Sequence, residues 1–232
     1  MKRFQDKVAI VTGATHPVGA ACIATLRQEG AAVIAAGAGD DGDISAHDGA
    51  SPDSWQALLG EAEKIGGPHI LVNAELAGLR RDLLHTSAEQ VSALVRANVY
   101  SCWLGMKFCM PAIRGAGGGS IVNVLSALAR TPSSAATVFS AISGGLRVAT
   151  KSAAFEGARE TPRVTVNAVL VGNVGIPDLM HPGALGSAID SSPKIEPRDV
   201  AAAVVQLASA DSSYVTGIDV YVDGGYALAG SL

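Results

Sequence analysis

Charged side chains are scarce in this sequence of 232 residues: Asp, Glu, Lys and Arg make up 16% of it, where about a quarter is usual for a soluble domain. Aromatic residues are only 4%, and there are three cysteines. With a mean hydropathy of +0.31, the chain has less polar surface than a monomer of this size needs. An alanine- and glycine-rich composition accounts for part of this; burial of surface against other subunits is the sharper reading. The net charge is −4 and no basic block or patch stands out, so no nucleic-acid partner is expected. No apolar run approaches the roughly 20 residues of a membrane-spanning helix. Cys22, Cys102 and Cys109 show neither paired nor metal-ligand spacing; they read as reduced, buried thiols of a cytoplasmic protein. The opening MKRFQDKVAIVTG reads as a first strand rather than as a signal peptide.

What the sequence does contain is alternation. Apolar runs of strand length, Val8–Val11, Ala32–Ala36, Ile70–Val72, Ser120–Val124, Val164–Val171 and Ile218–Val222, alternate with helical patterns. The helices read as Val18–Glu29, Pro52–Lys64, Ser87–Ile113, Phe139–Arg159 and Pro197–Ser209, with a turn at Gly115–Gly119. Pro52 suits a first helical turn, and Ser87 with Gln90 spells a capping box. Gly37 to Asp48 is rich in Gly and Asp and has no helical period. Continuous apolar strands between helices imply a parallel sheet covered on both faces. The expectation is α/β: one doubly wound Rossmann-like domain over residues 1–232, with about seven parallel strands.

Four landmarks carry a family resemblance. VTGATHPVGAAC after the first strand matches a T-G-x-x-x-G-x-G loop at Thr12, Gly13 and Gly19; the long helix holds Asn98; GGGSIVNVLSALA ends its strand at Ser126; and TGIDVYVDGGY contains V-D-G-G at Val222–Gly225. In order and spacing the whole chain resembles the short-chain dehydrogenase/reductase family. The resemblance implies a tyrosine that exchanges a proton with substrate. A lysine four residues later lowers its pKa and holds the nicotinamide ribose, a serine polarises the substrate oxygen, and an asparagine supports a proton relay. An unperturbed phenol has a pKa of about 10, and an adjacent cation brings it toward working pH.

The sequence departs from this pattern where the chemistry sits. Counting forward from Ser126, the motif Y-S-A-S-K-G-G-L falls on FSAISGGL, so Phe139 and Ser143 stand at the tyrosine and lysine positions. Lys151 is eight residues past Ser143, about 12 Å along a helix, and cannot replace the lost lysine. Tyr100, two residues after Asn98, projects from a different part of its helix. The middle glycine of the loop is Pro17, which has no N–H to offer a pyrophosphate. Gly37 stands where an acidic residue would hold ribose hydroxyls. N-N-A-G after the fourth strand appears as Asn73 to Leu76, bringing in Glu75. Gly144, Gly145 and Ala149 are expected to let the Phe139 helix approach its neighbours closely.

No intact catalytic set is therefore expected. Ser126 and Asn98 are remnants of it, and Thr12, Gly13, Pro17, Gly19, Gly37, Asp48 and Asn73 are remnants of a dinucleotide site. The expected function is a catalytically inactive subunit with no NAD(P), or weak NAD(P), of its own. It would assemble, in a hetero-tetramer, with an active NAD(P)-dependent alcohol or hydroxyacyl-CoA dehydrogenase paralogue. Two alternatives stay open: an oxidoreductase with relocated acid–base groups (Ser126 with water or Glu75), and a non-redox ligand-binding module whose crevice His16 and Pro17 would line. Residues 174–195 correspond to a substrate-lid-like segment. Within it Asp178, His181 and Asp190 lack metal-site spacing.

Overall fold

The computed structural model describes residues 2–39, 42–79, 81–131, 133–172 and 195–229. Its centre is a seven-stranded, all-parallel sheet in the order β3-β2-β1-β4-β5-β6-β7. The strands are β1 Val8–Thr12, β2 Ala32–Gly37, β3 Ile44–Ala46, β4 Ile70–Asn73, β5 Gly119–Ser126, β6 Val164–Val171 and β7 Asp219–Val222. Every residue of β1, β4 and β6 is buried, the signature of strands covered on both faces. One apolar cluster lies under α1 (Pro17–Gln28) and α6 (Pro197–Ala208). The other lies under α2 (Pro52–Lys64), α4 (Ser101–Gly115) and α5 (Thr137–Ala158). The doubly wound domain expected from the sequence is present.

Three local expectations need correction. The Gly- and Asp-rich segment contains a strand, β3, of three residues paired to β2. The long helix is not uniform: α3 (Ala88–Leu94), with the anticipated Ser87–Gln90 capping box, passes through a π segment, Val95–Tyr100, into α4. Such π-bulges recur at functional sites; here it holds Asn98, whose amide reaches back to the Leu94 carbonyl. Third, α4 runs on to Gly115 and β5 begins at Gly119, which narrows the intervening turn. Among the described residues no helix is long and apolar enough to cross a membrane.

Candidate functional site

In an open parallel sheet, ligands bind beyond the carboxyl ends of the strands, where the strand order reverses. Here that point lies between β1 and β4. The turn after β1 and the last residues of β2, β4 and β5 bring Gly13, Gly37, Asn73 and Ser126 to it. The glycines there divide into two kinds. Gly13 has φ +70°, and a Cβ on it would sit 2.5 Å from the Ala74 carbonyl oxygen; a Cβ on Gly19 would sit 2.1 Å from the Gly13 carbonyl oxygen. Both are demanded by packing of α1 against the strand ends. Gly37 is not: a Cβ would meet Ala14 at 3.4 Å, an ordinary contact. Pro17 occupies the first turn of α1, and its preceding residue, His16, makes no side-chain cap. Thr12 is buried beside Asn73 in the parallel ladder.

Phe139 and Ser143 lie one turn apart on α5, and each is 2% exposed. The Phe139 ring belongs to an apolar cluster with Val124, Leu128, Ala136 and Val171 at the ends of β5 and β6. Ser126 ends β5, and its Oγ accepts a hydrogen bond from the Leu128 N–H (3.2 Å), capping the turn Ala127–Ala129. Asn98 is similarly committed: its Oδ1 accepts from the Ala77 N–H (3.1 Å), and its Nδ2 donates to the carbonyls of Ala77 and Leu94 (both 2.9 Å). Lys151 is held by Asp219 (3.0 Å) and the Gly217 carbonyl (2.9 Å), on the β7 side of α5. Tyr100 is exposed and stacks on Trp103.

The loop after β4 makes the second half of the crevice. Asn73 donates to Asn123 Oδ1 (2.8 Å), and Asn123 donates to Thr150 Oγ1 (3.0 Å), a buried polar tie between β4, β5 and α5. Leu76 is buried in the apolar cluster. Glu75 is the unexpected group. Burial raises its carboxyl above the usual range, and nearby Asp48 adds to the shift. Among the described residues it has no hydrogen-bond partner. It lines a cavity of about 10 Å3 together with Asn73, Asn98, Cys102 and Ser143. Asp48 itself is engaged: one carboxylate oxygen accepts from the Ala50 N–H (2.9 Å) and the other from Arg96 (3.2 Å).

His47, beside Asp48, was not singled out by its pattern in the sequence. Its Nδ1 pairs with Ser54 Oγ (2.8 Å), its ring meets Trp55 edge-on at 4.5 Å, and its Nε2 is buried with no partner. Burial pushes its pKa down to about 4, against the smaller opposing pull of Asp48. The unfolded chain therefore takes up a proton that the folded chain refuses. His47 leaves stability intact above pH 6.5 and erodes it as pH falls toward about 4. His47→Asn should flatten this part of the stability profile, as measured by urea midpoints between pH 7 and 4.

One further residue escaped sequence reasoning, and another was placed differently. Tyr226 packs against the Phe139 cluster. Its hydroxyl pairs with Ser133, but burial raises its pKa, the wrong direction for a phenolate base. Gly145, expected to let α5 approach its neighbours closely, has none beside it among the described residues: a Cβ there would meet nothing within 4 Å, and one on Gly144 only the Ala129 carbonyl at 3.8 Å. The lid-like stretch lies outside the described residues except for Ile195, as do Asp178, His181 and Asp190. Among the described residues, no cluster of His, Cys, Asp and Glu could hold a metal ion.

Comparison with known proteins agrees with this frame. A family model described as "Enoyl-(Acyl carrier protein) reductase" matches residues 13–227. The NADP-dependent (R)-specific alcohol dehydrogenase of Lentilactobacillus kefiri is 30% identical, over 97% of this chain and 98% of that one. The 3-oxoacyl-[acyl-carrier-protein] reductase FabG of Vibrio cholerae is 31% identical, over 96% and 98%. The ligand-free aldohexose dehydrogenase of Thermoplasma acidophilum superposes with a TM-score of 0.85 at 27% identity, covering 98% of this chain and 96% of that one. A seven-stranded parallel sheet, a glycine turn that only packing explains, and this near full-length similarity lead to one conclusion: the chain belongs to the short-chain dehydrogenase/reductase family of oxidoreductases.

Proposed function

We propose that this chain is a non-catalytic subunit of a dehydrogenase, assembled with an active NAD(P)-dependent paralogue that acts on an alcohol or hydroxyacyl-CoA. The observation that carries the reading is the burial of Phe139 and Ser143, each 2% exposed, at the positions of the proton donor and its lysine. A benzyl ring has no proton to transfer, and a serine has no charge with which to lower a neighbour's pKa. The residues present also do not fit a nicotinamide dinucleotide. Pro17 withholds an N–H at the start of α1, Gly37 offers the ribose nothing, and the Asp48 carboxylate is taken by Ala50 and Arg96. The hetero-tetrameric enzyme that oxidises 2-[hydroxy(phenyl)methyl]-succinyl-CoA is an assembly of the type proposed. Three buried free thiols suit a reducing, cytoplasmic setting.

The outer face of α4 and α5 supports assembly. It exposes Tyr100 (39%) at the end of the π segment, Trp103 (45%) on α4, and Val148 (60%) and Phe155 (67%) on α5. Gly145 lies in the same stripe as Val148 and Phe155, which follow it by three and ten residues. An exposed mid-helix glycine costs about 0.5–1 kcal/mol relative to alanine, and nothing among the described residues compensates for it. Close approach of a partner helix would. Gly145→Leu should therefore stabilise the isolated chain by about 0.5–1 kcal/mol and weaken capture of the co-expressed paralogue about tenfold or more. Unchanged capture would rule this face out as the contact.

The alternative of relocated acid–base chemistry draws on Glu75, whose carboxyl is poised above its ordinary range. Its cavity of about 10 Å3 has room for about one water, not for a keto substrate. Hydride transfer that survives in the isolated wild type but is lost in Glu75→Gln would favour this alternative.

A further inference from the structure

The amino end of the sheet carries a histidine that the proposed function does not use. Val8, the first residue of β1, is buried. Its carbonyl accepts the His69 backbone N–H (2.8 Å), and the His69 carbonyl accepts from the Ser120 N–H of β5 (3.0 Å). The buried Val8 N–H needs an acceptor as well. The chain before β4 turns through Gly66 and Gly67, with φ +112° and +77°, and the acceptor is a side chain: His69 Nδ1, 3.1 Å away. A ring nitrogen that accepts carries no proton, so this is the neutral imidazole with its proton on Nε2. The segment that leads into Val8 ties α1 to α6. Phe4 is buried in the cluster under those helices, and its N–H donates to the Glu29 carbonyl (3.1 Å). Arg3 pairs with Glu29 and donates to Gln206 of α6 (3.2 Å). The Lys7 N–H donates to the Phe4 carbonyl (3.1 Å).

We propose that His69 is a pH-sensitive clip on the amino end of β1: the neutral ring holds Val8, and proton uptake releases Val8 together with the segment from Lys2 to Lys7. Imidazolium has two N–H donors and no acceptor. Its Nδ1–H would face the Val8 N–H and leave a buried backbone donor without a partner. The surroundings of the ring set the direction. Burial is the largest influence and lowers the pKa below the usual 6.5; the Lys7 ammonium lowers it further, and a hydrogen bond with the Gly67 backbone opposes both. The other described neighbours, Gly66 in the turn and Gly119 and Ser120 of β5, bring no charge. The folded chain therefore refuses a proton that the unfolded chain accepts. The clip is closed above pH 6.5 and opens as pH falls below it, toward the lower pKa of the folded chain. His69 stands at the opposite end of the strands from the crevice, so the clip does not depend on the dehydrogenase reading.

The test uses the full, 15N-labelled chain. At pH 7.5 the His69 ring should show a bare Nδ1 and a protonated Nε2. Protection of the Val8, Phe4 and Lys7 amides against hydrogen exchange, corrected for the intrinsic rate, should fall about tenfold or more between pH 7.5 and pH 5. Val11 and Val72, paired in the strand centres, should change less. His69→Asn, whose amide oxygen can accept the same N–H at every pH, should abolish the fall, and Lys7→Gln should move it to higher pH. His47 also takes up a proton on acidification but lies beyond the carboxyl end of β3, so His47→Asn should leave the Val8 response unchanged. If His69→Asn does not fold, the ring tautomer and the Lys7→Gln shift still decide. A proton on Nδ1 at pH 7.5, Val8 protection that does not change with pH, or an equal fall in His69→Asn would overturn the proposal.

Discussion

Phe139→Ala is expected to cost about 3–5 kcal/mol of stability, the range for removing a buried aromatic ring from a well-packed core. The ring is 2% exposed and packs with Val124, Leu128, Ala136 and Val171, where the ends of β5 and β6 meet the start of α5. Phe139→Tyr sharpens the test. In an active relative a hydroxyl here would meet substrate; here it enters an apolar cluster. Leaving it without a partner costs about 1–3 kcal/mol, so the supposedly restorative substitution should lower the urea midpoint. Phe139→Tyr combined with Ser143→Lys should still give no turnover, because Pro17 and Gly37 remain at the cofactor side. A stable, active double variant would show that the dinucleotide site is intact and that the account of Pro17 and Gly37 is wrong.

Gly19→Ala is the second large effect. Its Cβ would lie 2.1 Å from the Gly13 carbonyl oxygen, a backbone atom that cannot turn aside. Relief requires α1 to move away from the β1 turn, with loss of contacts to α6 as well as to the sheet. Overpacking a core costs about 1–3 kcal/mol, and occasionally more; a backbone clash this short belongs at or beyond the upper end. Gly37→Ala is the control. With its nearest Cβ contact at 3.4 Å, an ordinary van der Waals distance, it should leave stability within about 1 kcal/mol of wild type. The contrast separates a glycine that packing demands from one that packing does not. Equal damage from both would remove the distinction.

Much of the fold was legible because β1, β4, β5 and β6 are buried on both faces and so read as unbroken apolar runs. Strand β3 was not, because Ile-Ser-Ala at the sheet edge is half exposed and lacks both an apolar run and a clear alternation. The π segment was hidden because one added residue in a helix leaves composition and mean period nearly unchanged. The replacements at Phe139 and Ser143 could be counted off from Ser126. The setting of Glu75 could not, since it depends on Gly49, Ser101 and Asn98 approaching from elements distant in sequence. The outward placement of Gly145 was available in principle. Phe139, Ile142, Leu146, Thr150 and Ala154 mark the buried stripe of α5, and Gly145 falls on the opposite stripe.

The central claim is that this oxidoreductase-family chain neither binds NAD(P) usefully nor transfers hydride by itself. The most direct measurement is calorimetric titration of the purified, unaccompanied chain with NAD(H) and NADP(H) at millimolar concentration, followed by a hydride-transfer assay of the same sample. No saturable heat and no turnover are predicted, with turnover appearing only when the active paralogue is added. Saturable binding with turnover by the lone chain, at a rate comparable to its relatives, would contradict the account.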